Sequence, residues 1–276
     1  MSAFPFAQIR VAIRGGGDLG SGVAYRLHQS GFPVLITELA QPLLVRRMAC
    51  FGSAAMDGSI TVEGITARRV GSVREALSAQ AEGTIPVLID PDAITLPEYE
   101  PTILIDARMR KANPGPRQAD VLLLVGLGPG FHVPEHCDVV VETARGHNLG
   151  RVIRSGAAQD DTGTPEGVLG WQQHRVLRAP QEGILAALQP IGARVREGEP
   201  IAQVGNSLVI APFDGVLRGL IHDGLWVTEG MKVGDLDPRA DPAYCFTISD
   251  KALAVGGGVL EAVLSAPAIR ERLRQL

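Results

Sequence analysis

The chain has 276 residues, a formal net charge of −4 and 45% hydrophobic residues. This composition excludes wholesale disorder, the acidic balance argues against a general nucleic-acid binder, and the length predicts about two domains at roughly 150 residues each. The three cysteines lie far apart without a CxxC pair, which argues against a disulfide framework or a zinc ribbon. We recognise neither a signal peptide nor an apolar run of the roughly 18 residues that a membrane span needs, so we expect a cytoplasmic protein.

The first half alternates apolar strands with helical segments. Ile9–Arg14 predicts a strand, and apolar residues every four positions from Leu19 mark one face of a helix. Val34–Thr37 predicts a second strand and Pro42–Phe51 a second helix. Further buried strands are predicted at Pro86–Ile89, Thr102–Ile105, Val121–Val125 and Val139–Thr143. Ser59–Val70 predicts a hairpin around Glu63 and Gly64. The alternation as a whole is typical of a mainly parallel sheet covered on both faces, so residues 1–150 are predicted to form a Rossmann-like nucleotide-binding domain.

A glycine-rich turn follows the first strand. Gly15, Gly17 and Gly20 form a GxGxxG pattern between a strand and a helix, where glycines let the backbone approach a diphosphate. Glu38 ends the second predicted strand, where an acid can accept a hydrogen bond from a ribose. Asp18 is unexpected in a phosphate-binding turn, because its carboxylate repels phosphate. The other interpretation of Asp18 is that it caps the helix. The turn predicts nucleotide binding, with tight helix–strand packing as the other interpretation.

Three more loops at predicted strand ends carry glycine or charge: Asp106–Lys111, Gly126–Gly130, which is suited to cradle a phosphate, and Glu142–Asn148. Ligands of open parallel sheets bind at the carboxyl edge, so these loops are candidate binding segments. Each could equally be structural. The candidate residues are Gly126, Gly128 and Gly130 after one strand, and Glu142, Arg145 and His147 after the next.

The second half contains an internal repeat beyond a predicted linker, Ser155–Gly170. Residues 179–204 and 211–236 match without a gap at an offset of 32 residues. Short strands separated by glycine turns and duplicated once predict two similar antiparallel layers. The repeat resembles the barrel-sandwich (lipoyl/biotinyl-like, hammerhead) domain, which we place at 174–237. The hairpin at Gly205–Ser207 lacks the modified lysine of such carriers and Lys232 follows the wrong hairpin, so we expect neither lipoyl nor biotin.

Residues 238–276 are predicted to form a segment and a helix that return to the first domain. Gly256–Gly258 are interpreted as the entrance to this helix. Cys245 precedes Asp250 and Lys251, and a lysine can stabilise a thiolate. A reactive relay cysteine and a buried structural one both remain open. His132, His136 and Cys137 fit no usual zinc spacing, so no metal site is predicted.

Several long motifs together resemble the YqeB family, accessory proteins of selenium-dependent molybdenum hydroxylase systems. They include IRGGGDLGSGVAYRLHQSGF, LLVGLGPGF, VVVETARGHNLGRVI and SDKALAVGGGVLEAVL, and the likeness runs over about residues 9–264. It implies a role in maturation of the molybdenum cofactor. The positions carried over are Gly15, Gly17, Asp18, Gly20, Gly126, Gly128, Gly130, Glu142, Arg145, Gly146, His147, Cys245, Asp250 and Lys251.

The resulting functional prediction is a protein that handles molybdopterin, or its dinucleotide form, for insertion into a molybdenum hydroxylase apoenzyme. A pterin dinucleotide contains a diphosphate and a ribose, which suit the Gly15 turn and Glu38. Two alternatives stay open. One is an NAD(P)-dependent oxidoreductase in which His147 is the proton donor; the other is a non-catalytic scaffold that binds the hydroxylase. Whether the protein is an enzyme is undecided, and it could form homo-oligomers.

Overall fold

The computed structural model describes residues 4–111, 114–115, 119–160 and 175–275. The chain divides into two compact units. The first contains Met1–Pro42, Phe51–Thr162 and Ile248–Leu276, and the second contains Leu43–Cys50 and Gly163–Thr247. Residues 161–170 of the predicted linker lie outside the described part of the chain.

Nine described strands of the first unit form one sheet. They are β1 (Val11–Arg14), β2 (Val34–Glu38), β3 (Ser59–Val62), β4 (Ile65–Val70), β5 (Ile85–Ile89), β6 (Ile103–Asp106), β7 (Leu123–Leu127), β9 (Val139–Val141) and β10 (Val152–Ile153). Their order is β10-β9-β7-β6-β1-β2-β5-β4-β3. The run from β9 to β4 is parallel, whereas β3 and β10 pair antiparallel at the two edges. The short strands β8 (His132–Val133) and β11 (Gly156–Ala157) pair separately.

The predicted fold class, a Rossmann-like parallel sheet with a barrel-sandwich domain, is wrong. The large sheet is mixed, and the strands of the second unit form separate antiparallel sheets. Connection length explains the mixed sheet, because a parallel pair needs a crossover whereas a tight turn returns the strand antiparallel. The turn at Glu63 and Gly64, both with positive φ, makes β3 and β4 such a hairpin.

Six helices are described. They are α1 (Asp18–Gln29), α2 (Ala54–Asp57), α3 (Val73–Ala81), α4 (Leu96–Tyr99), α5 (Asp250–Ser265) and α6 (Pro267–Arg274). Apolar side chains fill both faces of the sheet: Val11 and Ile13 belong to the core that also contains α1 and α5, whereas Ala12 belongs to the core on the other face. Residues in the strands alternate between faces, which explains why these strands are apolar throughout.

The predicted helix entrance at Gly256–Gly258 is wrong, since α5 begins at Asp250 with Ser249 as its cap. The glycines lie inside the helix, where they permit close packing. A Cβ at Gly256 would lie 2.5 Å from the Gly22 carbonyl oxygen of α1, and one at Gly258 would lie 2.1 Å from the Gly150 carbonyl oxygen.

The second unit contains two four-stranded antiparallel sheets among the described residues. Their strands are β12 (Val176–Arg178), β13 (Gly183–Ala187), β14 (Arg194–Val195), β15 (Pro200–Val204), β16 (Ser207–Ile210), β17 (Gly215–Leu220), β18 (Trp226–Val227) and β19 (Lys232–Asp237). The orders are β12-β19-β17-β14 and β16-β15-β13-β18. At the repeat offset of 32 residues, β13 matches β17, β15 matches β19, β12 matches β16 and β14 matches β18. The two sheets are therefore equivalent products of the repeat.

The segment predicted as a helix at Pro42–Phe51 contains no α-helix. It forms a short 3-10 turn at Arg47–Ala49, and most of it belongs to the second unit. Side-chain hydrogen bonds fix it there: Arg46 Nη2 donates to the carbonyl oxygens of Tyr244 (3.0 Å) and Thr247 (2.8 Å). These long-range contacts outweigh the local helix preference.

Within the described residues, no single helix is long and apolar enough to cross a membrane. Helices α5 and α6 together reach the length and apolar composition of a membrane span, but the pair is bent by 68° at its junction.

Candidate functional site

The turn Gly15–Gly20 connects β1 directly to α1 at the carboxyl edge of the sheet. Gly15 has φ +94°, a conformation that side chains disfavour. A Cβ at Gly20 would lie 2.1 Å from the Gly15 carbonyl oxygen, so Gly20 allows the helix to start against the strand. Gly17 is the N-cap residue of α1 with φ −69°, which any residue can adopt. Local geometry thus explains why Gly15 and Gly20 are glycines. At Gly17, ligand binding is the remaining explanation.

Glu38 lies beneath this turn, at the end of the neighbouring strand β2. Its side chain is 8% exposed, and its carboxylate accepts hydrogen bonds from Gly16 N (2.6 Å) and Leu39 N (2.8 Å). Burial raises the pKa of Glu38, against the effect of these two hydrogen bonds. The carboxylate predicted to accept a hydrogen bond from a ribose thus accepts one from the backbone of the glycine turn.

A second turn, Phe51–Ser53, closes over Gly16 from the other side. Gly52 N donates to the Gly16 carbonyl oxygen (2.9 Å), and Ser21 Oγ donates to the same oxygen (2.9 Å). Phe51 N in turn donates to Ser21 Oγ (2.8 Å). A Cβ at Gly16 would lie 2.7 Å from Gly52 Cα, so both residues must be glycine. This closure is not visible in the sequence, because no local pattern links residues 51–53 with the first turn.

Asp18 connects the starts of two helices. Its carboxylate Oδ2 accepts a hydrogen bond from Ser249 Oγ (3.2 Å), and Ser249 caps α5. The helices approach closely beyond this point, since a Cβ at Gly22 would lie 2.3 Å from the Ala252 carbonyl oxygen. Asp18 also lies in the first turn of α1, where a negative charge is favourable. These contacts explain a carboxylate in a glycine turn that otherwise suits phosphate.

Arg145 and Asp250, both predicted from sequence, form a bidentate ion pair. The distances are 2.7 Å from Nη1 to Oδ2 and 2.8 Å from Nη2 to Oδ1. Both side chains reach solvent, with 36% of Arg145 and 74% of Asp250 exposed. His147 is exposed on the same loop. The pair ties the loop after β9 to the first turn of α5.

Glu142, at the base of this loop, is a structural anchor. Its side chain is 2% exposed, and its two carboxylate oxygens accept hydrogen bonds from Thr143 N, Ala144 N and Gln159 N, each at 2.8 Å. These bonds hold the loop on the sheet and direct the carboxylate into the protein.

The glycines after β7 have packing roles. A Cβ at Gly126 would lie 2.4 Å from the Phe131 ring, Gly128 has φ +100°, and Gly130 N donates to the Arg110 carbonyl oxygen (2.9 Å). Gly126 and Gly128 therefore have structural reasons to be glycine, whereas the Gly130 hydrogen bond does not require a glycine.

Cys245 belongs to the second unit, whereas Asp250 and Lys251 begin α5 in the first. The thiol is fully buried and lies 3.7 Å from the Leu217 carbonyl oxygen, to which it donates. Burial raises the pKa of Cys245, although the nearby Arg218 and Arg46 oppose this. These features are typical of a structural cysteine.

A charged cluster lies at the same edge on the opposite face of the sheet. Arg14 and Asp106 end adjacent strands in register, and Arg108 forms a bidentate ion pair with Asp106. Burial lowers the pKa of Arg14, and the charge of Arg108 adds to this. The sequence signals this cluster through the candidate loop Asp106–Lys111 at a predicted strand end, but it does not indicate that Arg14 belongs to it. In the described part of the chain, no group of three or more His, Cys, Asp or Glu residues could hold a metal ion.

No protein-family model matches the chain. It is 45% identical over 254 residues to the uncharacterized protein YqeB of Escherichia coli K12, a match that covers 92% of this chain and 47% of YqeB. The chain thus spans about half the length of this relative.

Solved structures with some likeness carry aspartoacylase and desuccinylase names. An aspartoacylase family protein from Mesorhizobium loti is 13% identical with a TM-score of 0.25, covering 82% of this chain and 84% of that one. A succinylglutamate desuccinylase/aspartoacylase from Rhodobacter sphaeroides is 15% identical with a TM-score of 0.27, covering 82% and 85%.

Proposed function

We propose, from a sequence similarity that supports the YqeB family, that this protein assists the maturation or insertion of the molybdenum cofactor for a molybdenum hydroxylase. In this proposal it binds a pterin dinucleotide, or another nucleotide-bearing form of the cofactor, at the Gly15–Gly20 turn. The observation that carries the proposal is Gly17, the motif glycine that neither backbone conformation nor helix position requires.

The residues at the turn fit a diphosphate. The first backbone N–H groups of α1 have no acceptor within the helix, and the helix dipole adds a partial positive charge there. Glycine at position 17 lets an anion approach this backbone closely. Asp18 opposes the anion by its charge, but its carboxylate accepts a hydrogen bond from Ser249 Oγ.

A ribose fits Glu38 with one adjustment. The carboxylate accepts two hydrogen bonds, from Gly16 N and Leu39 N, and a carboxylate offers about four acceptor positions. A ribose hydroxyl can use a remaining position if the Phe51–Ser53 turn moves away from Gly16. When bound, the cofactor supplies the redox chemistry of the hydroxylase, and the residues of this chain bind and orient it.

The test is Gly17→Val in the full chain. Because φ −69° is open to valine, we expect the variant to fold, while its branched side chain occupies the approach to the backbone. Affinity for a pterin dinucleotide, measured by calorimetry, should fall more than tenfold, or about 1.4 kcal/mol. The matched control is Gly257→Ala, because a Cβ there meets open space.

Three results bear on the proposal. A pterin released from the purified protein and identified by mass spectrometry supports it. Binding of NADH in place of pterin nucleotides favours the oxidoreductase alternative. Unchanged pterin affinity in a folded Gly17→Val variant overturns the assignment of the turn.

A further inference from the structure

The outer face of the sheet β16-β15-β13-β18 is an exposed apolar surface, which we call the bare face. Its large side chains are between 46% and 61% exposed. Apolar patches of this kind on a folded protein mark interaction sites. The residues that define the bare face are Ile184, Leu188, Leu208, Ile210 and Trp226.

Strand register places these side chains on one face. Ile184 pairs directly with Trp226 across β13 and β18. Ala186, two residues further on, pairs with Gln203, which pairs in turn with Leu208. Paired residues share a face, as do residues two apart along a strand, so the surface is continuous across four strands.

The equivalent face of the other sheet, β12-β19-β17-β14, is covered. At the repeat offset, Ile184 corresponds to Val216, which is 0% exposed. The cover consists of two distant segments of the same unit. Arg47 Nε donates to the Leu220 carbonyl oxygen (3.3 Å), and Cys245 Sγ donates to that of Leu217 (3.7 Å).

A third contact shows how close this cover lies. A Cβ at Gly219 would lie 2.6 Å from the Val45 carbonyl oxygen, so the covering backbone rests directly on β17. The described residues provide no comparable cover for the bare face, although its side chains are the more apolar of the two.

We propose that the bare face docks a partner polypeptide, namely the region of YqeB outside the match or a separate protein homologous to it. More than half of YqeB lies outside the part that this chain matches, and both parts are joined in one polypeptide. Such a connection holds two surfaces at high effective concentration, which favours a contact between them. The partner surface must be apolar, with Trp226 as its principal anchor, because exposed tryptophans dominate binding energy at such interfaces. This proposal does not depend on the proposed function.

The first test mixes the full chain with the unmatched region of YqeB and measures affinity. We expect Trp226→Lys to weaken binding at least tenfold, while the control Leu122→Lys, at a half-exposed position of the first unit, leaves it unchanged. Affinity should change little between 0.1 and 0.5 M salt, because the contact is apolar and not ionic.

A second test keeps the proposal falsifiable if that region does not fold alone. In a chimera, this chain replaces the matching part of YqeB. The Ile184→Cys variant of the chimera is labelled with a maleimide, and peptide mass spectrometry measures the labelling rate. We expect labelling at least tenfold slower than in this chain alone, with the control Leu122→Cys unaffected. The proposal is overturned if the two proteins do not bind and the cysteine is not protected from maleimide. It is also overturned if light scattering shows a dimer of this chain alone that Trp226→Lys dissociates.

Discussion

The two four-stranded sheets of the second unit are built from the same repeat but differ in burial. Val216 lies on the face that the segments around Arg47 and Cys245 cover, whereas its equivalent Ile184 faces solvent. Both sheets have the same strand pattern, so the pattern does not determine which outer face is buried. Segments far away in sequence determine it.

The covered face is also the more polar of the two. Arg218, Asp235 and Asp237 occupy positions that are Ala186, Gln203 and Gly205 in the other half of the repeat. Their charges are buried and paired: Arg175 holds Asp235 with distances of 3.1 and 2.9 Å, and Arg239 holds Asp237 at 3.0 and 2.6 Å. Buried charges are tolerated only with such partners, so the cover and the ion pairs depend on each other.

The largest expected effect comes from truncating equivalent side chains of the two outer faces. Val216→Ala removes part of a buried side chain and should lower the free energy of unfolding by about 2–3 kcal/mol. Ile184→Ala, at the equivalent exposed position, should change it by less than about 1 kcal/mol. Urea unfolding of both variants measures the difference. Equal losses would show that the bare face is covered in the protein as purified.

The repeat could be predicted from sequence because it recurs at a fixed offset, and the structure has a matching strand for each strand. The cover could not be predicted, because it depends on Leu43–Cys50, more than a hundred residues before the sheet. The local pattern of that segment favoured a helix, which it does not form. The hairpin of β3 and β4 could be predicted from its turn residues, whereas the antiparallel strand β10 could not, because strand direction depends on connections rather than on strand composition.

The same distinction holds at the candidate site. Gly15 and Gly20 belong to a local motif, and their contacts match its second interpretation, tight packing of a helix against a strand. The hydrogen bond from Gly16 to Glu38 and the ion pair of Arg145 with Asp250 join residues far apart in sequence. The sequence indicated Glu38, Arg145 and Asp250 individually, but no pattern indicated these pairings.

The second prediction concerns the ion pairs of the covered face. Burial works to raise the pKa of Asp237, but hydrogen bonds and charge from Arg239 outweigh it and lower the pKa. A lowered pKa contributes stability above the unfolded value of about 3.9, and this is lost as the pH falls through the folded value. Asp237→Asn should therefore reduce stability at pH 6–7 by about 1–3 kcal/mol, with the difference shrinking below about pH 4.

Urea unfolding at a series of pH values measures this dependence. The control is Asp92→Asn, at an exposed position of the first unit, which should leave the pH profile unchanged. A constant loss at every pH would mean that Asp237 contributes through packing and not through its charge.

The smallest expected effect concerns Cys245, which lies in the segment that covers β17. Its thiol is fully buried and its pKa is raised by burial, so its thiolate fraction at neutral pH is below that of an ordinary cysteine. Iodoacetamide should alkylate it in the folded protein no faster than the buried Cys50 and Cys137, and at least tenfold slower than in the unfolded chain. Cys245→Ser should cost about 1 kcal/mol, since serine can donate to the same Leu217 carbonyl oxygen. Peptide mass spectrometry over time measures the rates; rapid alkylation of Cys245 alone would revive the relay role and show that the cover opens.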